Sequence, residues 1–412
     1  MENKKSILIV GSSSSVRVLV KKIKDNCEKI YINSKFLNLP QNVEFVDIRD
    51  NNTDELLKFV IENDINLTIV LSNKALDADI AGVFNANGQL IFAPEYDSAK
   101  YFTDKSSLKK LLYKLGVKIP KFGVFDKLQP ALEYLKTTQL PVIISSIAPE
   151  IEKDFYASPT VSVGNIAIND LFFRGEEKII IDEYVSGHNF TTYIITDGVS
   201  SMPIGTVATS KFSDDAEGGF YTSGTSSCLP DTKVTQDIEN YIVYEVWEKI
   251  SAYFEKGQNS YAGVVGISAV LRGDEVFVTD ITPVINPVDA PVIINSIDEN
   301  LVNLFEACAI GSFTDDYDRI NTDDFSYVSL GLFSNSAEKE VDWQDDLTEP
   351  ENFDLSATIL DNKTFTRKGF IGTLWTKGRT LTTAKQKLSE NAHILVSNGI
   401  KFRKDIIAKR DN

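Results

Sequence analysis

Hydrophobic and polar positions in the first quarter of the chain alternate between short apolar runs and helical spacing. Ser6–Val10, Lys29–Asn33 and Asn66–Leu71 are strand-like runs, and Asp54–Asn63 has the spacing of an amphipathic helix. Strands that are separated by helical stretches indicate a parallel sheet with helices on its faces. The pattern therefore predicts an N-terminal doubly wound parallel-sheet domain.

The middle of the chain has a mixed pattern. It predicts a helix over Lys105–Leu115, strands over Lys178–Val185 and Phe190–Thr196, and a long amphipathic helix over Thr235–Glu255. Arg272-Gly273-Asp274 separates two further apolar runs, as in a β-hairpin. The middle of the chain therefore contains both helices and strands without the regular alternation of the first domain.

The composition of the chain changes at about residue 336. Ser336–Ser356 is acidic, polar and poorly periodic, which is typical of a loop. Thr364–Leu374 then predicts a strand and Thr383–Asn391 predicts a helix. We expect a C-terminal α+β domain that contains the loop.

Composition narrows the class of protein. The 412 residues are 42% hydrophobic and 25% charged, which indicates a globular chain of several domains. We expect neither a signal peptide nor a membrane span, because no apolar run is long enough. The three cysteines are odd in number and widely separated, which favours a reducing cytoplasm over a disulfide framework.

The charge balance excludes some partners. The formal net charge is −17, which argues against binding to nucleic acid or to an anionic membrane. The chain has only two histidines, His188 and His393, so a multi-histidine metal site is not expected. A local basic pocket for phosphate remains compatible with this composition.

Four short strings occur in an order that resembles one enzyme family. They are Ile91-Phe92-Ala93-Pro94, Gly116–Pro120, Ile181–Gly187 and Phe402–Ile406. The chain resembles the glycinamide ribonucleotide synthetases (phosphoribosylamine–glycine ligases) of the ATP-grasp superfamily. This family of purine biosynthesis uses Mg-ATP to join glycine to phosphoribosylamine through a glycyl phosphate.

The resemblance implies an α/β protein of four parts. They are an N-terminal Rossmann-like domain (1–102), a small ATP-grasp lobe (103–187), a large lobe (188–324) and a C-terminal α+β domain (325–412).

The resemblance implies five nucleotide-binding residues: Lys105, Asp182, Glu183, Val185 and Asn189. Lys105 occupies the position of a lysine that reaches the phosphates. Asp182, Glu183 and the backbone at Val185 correspond to the hinge that holds adenine, and Asn189 replaces the family's ribose-binding glutamate. The alternatives are an ordinary helix-surface lysine and a buried strand that ends in a glycine turn.

The resemblance implies five residues near the substrate phosphate: Gly11, Lys211, Gly219, Thr222 and Gly224. Gly11 is the one family glycine left in its loop, where serines replace the others. Residues 219–224 correspond to a glycine-rich loop at the active site. A serine-capped helix at Gly11 and ordinary loop glycines elsewhere are the alternative interpretations.

The metal site implied by the resemblance is reduced to Asp280. It replaces a glutamate, while Thr282 and Val284 replace the family's asparagine and arginine. Asn286 and Asp289 offer other oxygen atoms, or they form a turn. A shortened carboxylate with a hydroxyl partner should hold Mg²⁺ poorly.

The phosphate-covering segment also departs from the family. Ser145 replaces a second ATP lysine, and the segment after it has no glycine but contains Glu150, Glu152 and Asp154. Carboxylates at that position repel a triphosphate, and they cannot stabilise the negative charge of a phosphoryl group during its transfer.

Three hypotheses follow. The first is a family member whose ligase reaction is lost or weakened, with a binding or regulatory role toward a nucleotide, a purine-pathway metabolite or a protein partner. The alternatives are an active glycinamide ribonucleotide synthetase and an ATP-grasp ligase for another acid and amine. ATP and Mg²⁺ are expected as cofactors only if activity is retained.

Overall fold

A computed structural model describes most of the chain. The described residues are 4–11, 13–36, 39–147, 155–257, 259, 261–334, 352–355, 358–360, 363–365, 369–396 and 400–407. Glu150, Glu152, Asp154 and most of the acidic segment Ser336–Ser356 lie outside them. Within these ranges no helix combines the length and apolarity needed to span a bilayer.

The N-terminal domain is a parallel sheet with helices on its faces. Its elements are β1 (Lys5–Val10), α1 (Ser14–Ile23), β2 (Cys27–Ile32), β3 (Val43–Phe45), α2 (Thr53–Glu62), β4 (Leu67–Val70), α3 (Asn73–Asp77), α4 (Ile80–Ala86), β5 (Ile91–Phe92) and α5 (Tyr96–Thr103). The strand order is β3-β2-β1-β4-β5. Side chains Ile7 to Val10 of the central strand are fully buried, because helices cover both faces. The predicted doubly wound domain is confirmed.

The next unit is a small lobe with an antiparallel sheet. Its elements are α6 (Lys105–Lys114), β6 (Phe122–Phe125), α7 (Leu128–Thr137), β7 (Val142–Ser146), β8 (Phe155–Ser158), α8 (Val161–Phe173) and β9 (Ile179–Glu183). The four strands have the order β6-β9-β7-β8. Leu135 of α7 and Ile168 and Leu171 of α8 are buried with Ile144 and Ile181 of the sheet.

Most of the remaining strands belong to one eight-stranded sheet, the largest in the described part of the chain. The remaining elements are β10 (His188–Asp197), β11 (Ser201–Asp214), β12 (Gly218–Leu229), α9 (Gln236–Asn240), α10 (Glu248–Lys256), β13 (Ala262–Arg272), β14 (Glu275–Thr282), α11 (Ala290–Ser296), α12 (Leu301–Ile310), α13 (Phe313–Asp316), β15 (Ser326–Ser334), β16 (Phe353–Leu355), β17 (Thr358–Leu360), β18 (Lys363–Phe365), β19 (Gly369–Gly378) and α14 (Leu381–Val396). Strands β17 and β18 pair only with each other and form a separate two-stranded sheet within the described residues. A π-helical segment, Tyr241–Trp247, connects α9 to α10. The strand order is β14-β13-β10-β11-β12-β15-β19-β16.

Two features of this sheet were not evident from the sequence pattern. The glycine-containing segment Gly219–Thr225 belongs to strand β12 and pairs with β11 across two irregularities. The C-terminal strands β15, β16 and β19 belong to the same sheet as the large lobe, because β15 pairs with β12 on one side and with β19 on the other. The C-terminal part therefore extends the sheet of the large lobe.

Helix α6 connects the lobes. Its apolar face, Leu108, Leu111 and Leu112, packs in the core of the large lobe with Phe190 and Trp247. Asp104 caps the helix, and its carboxylate accepts hydrogen bonds from the Ser106 and Ser107 amides at 2.7 and 3.1 Å. The packing and the cap fix the first turn, which carries Lys105 to the edge of the space between the lobes.

Candidate functional site

A cleft lies between small-lobe strands β7 to β9 and large-lobe strands β11 to β14. It has about 570 Å³ of unfilled space, including its mouth to solvent. It is lined by Lys105, Lys109, Pro120, Ile143, Ser145, Phe155, Asp182, Glu183, Tyr184, Val185, Lys211, Tyr221, Thr222, Ser223, Val270, Thr279 and Asp280. Seven of the residues that the resemblance implies for nucleotide, substrate phosphate or metal line this cleft: Lys105, Asp182, Glu183, Val185, Lys211, Thr222 and Asp280.

Lys105 and Asp280 form an ion pair across the cleft. The Lys105 Nζ lies 3.0 Å from Asp280 Oδ2, and their side chains are 13% and 23% exposed. The ammonium also lies over the Phe155 ring, 4.5 Å from its centroid. The other oxygen of Asp280 accepts a hydrogen bond from the Ile281 amide at 3.0 Å. The two residues implied for phosphate and metal are therefore bound to each other.

A second ion pair lies deeper. Lys109 follows Lys105 by one helical turn, and its side chain is 1% exposed. Its Nζ lies 3.1 Å from Asp182 Oδ1 on strand β9. Burial of an ammonium is costly without a counter-charge. Asp182 consequently neutralises a helix lysine at the hinge.

The hairpin formed by β11 and β12 brings Lys211 and Thr222 into the cleft. Lys211 Nζ donates a hydrogen bond to the Ser223 carbonyl. Thr222 Oγ1 donates to the Lys211 carbonyl at 3.0 Å and accepts from the Gly224 amide at 3.1 Å. Burial lowers the pKa of Lys211, although Asp289 and Asp280 oppose that shift.

Hinge residues 182–185 line the cleft. The Glu183 amide donates to the Lys121 carbonyl at 2.8 Å, and the Tyr184 amide donates to the Pro141 carbonyl at 3.1 Å. Val185 follows, and its side chain is buried beside Val270 and Phe277. Asn189 lies in β10, where it pairs with Val270, and it is outside the cleft lining.

Three glycines implied for substrate binding also lie outside the lining. Gly11 ends strand β1, where its amide donates to the Asn33 side chain at 2.9 Å. Gly219 lies at the hairpin tip with a φ of +78°, a conformation that glycine adopts without strain. Gly224 faces the Asn286 side chain, which lies 3.6 Å from a Cβ built at that glycine. Among these residues, only Gly224 neighbours a lining residue of the cleft, Ser223.

Sequence reasoning did not identify an aromatic row that crosses the cleft. The Phe155 and Tyr221 ring centroids are 6.0 Å apart, those of Tyr221 and Phe212 are 5.3 Å apart, and those of Phe212 and Tyr184 are 6.1 Å apart. These residues come from the small lobe, the hairpin and the hinge, so no local sequence pattern joins them. Lys109 was also missed, although its spacing from Lys105 places both on one helix face.

The described residues do not form a magnesium site. No group of three or more His, Cys, Asp or Glu side chains within them is placed to hold a metal ion. Both oxygens of Asp280 already have partners, and the Thr282 hydroxyl donates to the Val284 carbonyl at 3.0 Å. Asp289 is 4% exposed and accepts a hydrogen bond from the Tyr193 hydroxyl at 2.7 Å. Magnesium prefers a set of oxygens at about 2.0–2.1 Å in octahedral geometry, and the residues present do not fit it.

Comparison with known proteins gives the family. Residues 5–101 match the phosphoribosylglycinamide synthetase N domain, and residues 103–281 match the ATP-grasp (A) domain of the same enzyme. A phosphoribosylamine–glycine ligase of Clostridium acetobutylicum is 23% identical over 97% of this chain and 99% of its own. One from Lactococcus lactis is 26% identical over 66% of each chain, so this match spans slightly less than two thirds of that relative.

Solved structures agree on the fold. The crystal structure of a phosphoribosylamine–glycine ligase from Thermotoga maritima has a TM-score of 0.77 at 17% identity, covering 97% of this chain and 99% of that one. The biotin carboxylase domain of a Hydrogenobacter thermophilus 2-oxoglutarate carboxylase has a TM-score of 0.70 at 12% identity, covering 97% and 91%. The resemblance found in the short sequence strings is confirmed. This chain belongs to the phosphoribosylglycinamide synthetase family and has the family's ATP-grasp architecture.

Proposed function

We propose that this family member has lost, or largely lost, the ligase reaction and that its inter-lobe cleft has a binding or regulatory role. The observation that carries the proposal is the ion pair between Lys105 and Asp280. In the family pattern these positions serve phosphate and metal. A lysine that is neutralised by a carboxylate gives little stabilisation to a moving phosphoryl group.

The fit of Mg-ATP supports the same conclusion. Asp280 is the one side chain retained from the family's metal motif, and its oxygens are taken by Lys105 and by the Ile281 amide. Ser145 lines the cleft at the position of a second ATP lysine. When bound, Mg-ATP would supply the activated phosphoryl group, and these residues hold neither the metal nor the triphosphate in the manner of the family.

The direct test is turnover. We expect no ADP above background when the full chain is incubated with Mg-ATP, glycine and freshly formed phosphoribosylamine, while a family enzyme run in parallel releases ADP. Calorimetric titration with ATP should show weak binding that magnesium does not strengthen. Tight magnesium-dependent binding together with substrate-dependent ADP release would overturn the proposal.

A ligase for a different acid and amine is a second candidate. It is favoured by the position of Lys211 and Thr222 in the cleft lining, because the resemblance implies both residues for the substrate phosphate. This function requires ATP hydrolysis that depends on some other metabolite. In that case, as for an active glycinamide ribonucleotide synthetase, Lys105→Ala and Asp280→Ala should each abolish turnover.

The proposed partners follow the same reasoning. We propose that a nucleotide or a purine-pathway metabolite binds in the cleft. The alternative is a regulatory role in which the chain binds a protein partner. The net charge of −17 supports a chain that binds neither nucleic acid nor anionic membrane. Three free cysteines support a cytoplasmic location.

A further inference from the structure

The ion pair in the cleft affects which ligand the cleft can select. Asp280 Oδ2 lies 3.0 Å from Lys105 Nζ, where an incoming phosphate oxygen would bind. Both side chains are mostly buried, so water screens their attraction only partly. A phosphate must therefore displace a carboxylate that is already in place, and it meets repulsion from that carboxylate when it approaches.

The other lysines of the cleft do not restore a phosphate site. Lys109 is paired with Asp182, and Lys211 donates to the Ser223 carbonyl while burial lowers its pKa. The lining contains three lysines and three carboxylates, the third being Glu183, so its formal charge is zero. A nucleoside triphosphate carries several negative charges and gains no net attraction from such a lining.

Part of the cleft lining is apolar. Its apolar residues include Pro120, Ile143, Val185 and Val270. Within the described part of the chain the Val185 amide donates to no acceptor, although the amides of Glu183 and Tyr184 before it are bonded. Apolar walls beside an unbonded backbone amide suit a planar nitrogen heterocycle. The Glu183 carboxylate on the same lining suits ribose hydroxyls as an acceptor.

We propose that the cleft binds a purine nucleoside or its monophosphate without a metal, and that Asp280 is the specificity-determining residue. Its carboxylate acts as an internal anion on Lys105, so that added phosphates contribute nothing to affinity. This inference rests on the proposed binding role of the cleft. It adds the ligand class and the residue that excludes the triphosphate.

The experiment is a calorimetric series on the full chain with adenosine, AMP, ADP and ATP, first in EDTA and then with magnesium. For the wild-type chain we expect dissociation constants that agree within about threefold across the series and are unchanged by magnesium. Asp280→Asn keeps an oxygen for the Ile281 amide but removes the charge. It should strengthen binding of AMP, ADP and ATP about tenfold, because the freed lysine attracts phosphate.

Two controls separate this effect from a general change in charge or folding. Asp274→Asn removes the same charge from the exposed turn between β13 and β14 and should change no affinity. Lys105→Met in the Asp280→Asn background should abolish the gain. Adenosine affinity should be the same in wild type and Asp280→Asn, which also reports that the variant is folded.

The outcomes are distinct. Affinity that rises with each phosphate in the wild-type chain, or an Asp280→Asn variant without gain, would overturn this inference and leave a non-catalytic binding role standing. Absence of binding by all four ligands in both chains would overturn the ligand class. ADP release that depends on the family's substrates would instead overturn the proposed function, and that assay is independent of the titrations.

Discussion

At the scale of single residues, the ion pair of Lys109 is the more buried of the two in the cleft. Its side chain is 1% exposed, and its Nζ lies 3.1 Å from Asp182 Oδ1. Taking an ammonium out of water costs several kcal/mol unless a counter-charge is held close by. The pair therefore ties helix α6 to strand β9 and fixes the hinge side of the cleft.

Lys109→Met tests this role. It leaves the Asp182 carboxylate mostly buried without its counter-charge, so we expect a loss of about 2–3 kcal/mol in the free energy of unfolding. Urea unfolding followed by tryptophan fluorescence measures it. Lys110→Met changes an exposed lysine of the same helix and should shift stability by less than about 0.5 kcal/mol.

The double variant Lys109→Met with Asp182→Leu completes that experiment. It removes both charges and fills the space with apolar atoms, so stability should return to within about 1 kcal/mol of wild type. A single variant as stable as wild type would mean that the lysine is not held in the buried pair.

The sequence identified many of the cleft residues but not their partners. Lys105, Asp182 and Asp280 could be found because a family pattern marks their positions. That Asp280 binds Lys105 depends on how β14 approaches the first turn of α6, which no local spacing encodes. Phe155 and Tyr221 were missed for the same reason, since they meet across two lobes.

At the scale of elements, the hairpin of β11 and β12 is held by the C-terminal segment. Asp215 Oδ1 at the hairpin tip accepts hydrogen bonds from the amides of Lys404 and Asp405 at 2.7 and 3.1 Å. Asp405 Oδ2 accepts one from the Ala216 amide at 3.1 Å. Arg403 donates to the carboxylate of Asp405 and, at 3.4 Å, to the Phe212 carbonyl. This set of contacts, the tip latch, gives the string Phe402–Ile406 a structural role.

The latch holds a strained tip. Ala216 has φ 55° and ψ 37°, a left-handed conformation that costs a residue with a side chain roughly 1–2 kcal/mol. The Arg403 guanidinium holds the pKa of Asp405 at about 2. The carboxylate contribution is therefore present above the unfolded pKa near 3.9 and is lost as pH falls from there toward about 2.

Arg403→Ala should loosen the hairpin without unfolding the protein. It removes charge-assisted bonds to Asp405, so we expect amide hydrogen exchange over residues 211–224 to accelerate about tenfold or more, with no change in the N-terminal sheet. Lys404→Ala is the matched control, because this residue joins the latch through its backbone amide. Equal exchange in the Arg403 variant and wild type would show that the latch does not hold the hairpin.

Sequence patterns predicted regular elements well and irregular ones poorly. The hairpin turn at Arg272-Gly273-Asp274 and the helix at Lys105 follow local periodicity. Strand β11 contains Pro203 and irregular pairing near Phe212, which break a two-residue alternation. Helix α8 is apolar on both sides, with Ile166 and Phe173 71% and 91% exposed, so it lacks an amphipathic period.

At the scale of the whole molecule, a buried carboxylate connects the two ends of the chain. Asp354 of β16 is 0% exposed, and its Oδ1 lies 2.7 Å from Lys21 Nζ on helix α1. The Arg17 Nε lies 3.8 Å from the same oxygen, and Trp375 Nε1 of β19 donates to Oδ2 at 3.0 Å. This cluster joins the N-terminal domain to the C-terminal strands.

The order of the units along the chain could be predicted from the sequence, but their joining could not. Changes in composition, and the order of the strings that resemble the family, indicate where one unit ends and the next begins. That β15 continues the large-lobe sheet depends on its register with β12, for example Ser227 opposite Ser329. The register of a strand pair is set by packing on both faces of the sheet, so it cannot be predicted from the sequence of one strand.

Asp354→Asn is the test at this scale. The amide oxygen can still accept from Trp375, but the attraction between the Asp354 charge and the cations of Lys21 and Arg17 is lost, so we expect a loss of about 2 kcal/mol in unfolding free energy. A double-mutant cycle with Lys21→Met should give a coupling energy of about 1–3 kcal/mol, because the two side chains touch. Asp47→Asn changes an exposed acid of the N-terminal domain and should be nearly neutral. Additive effects of the two variants would mean that the N-terminal helix and the C-terminal strands are not coupled through Asp354.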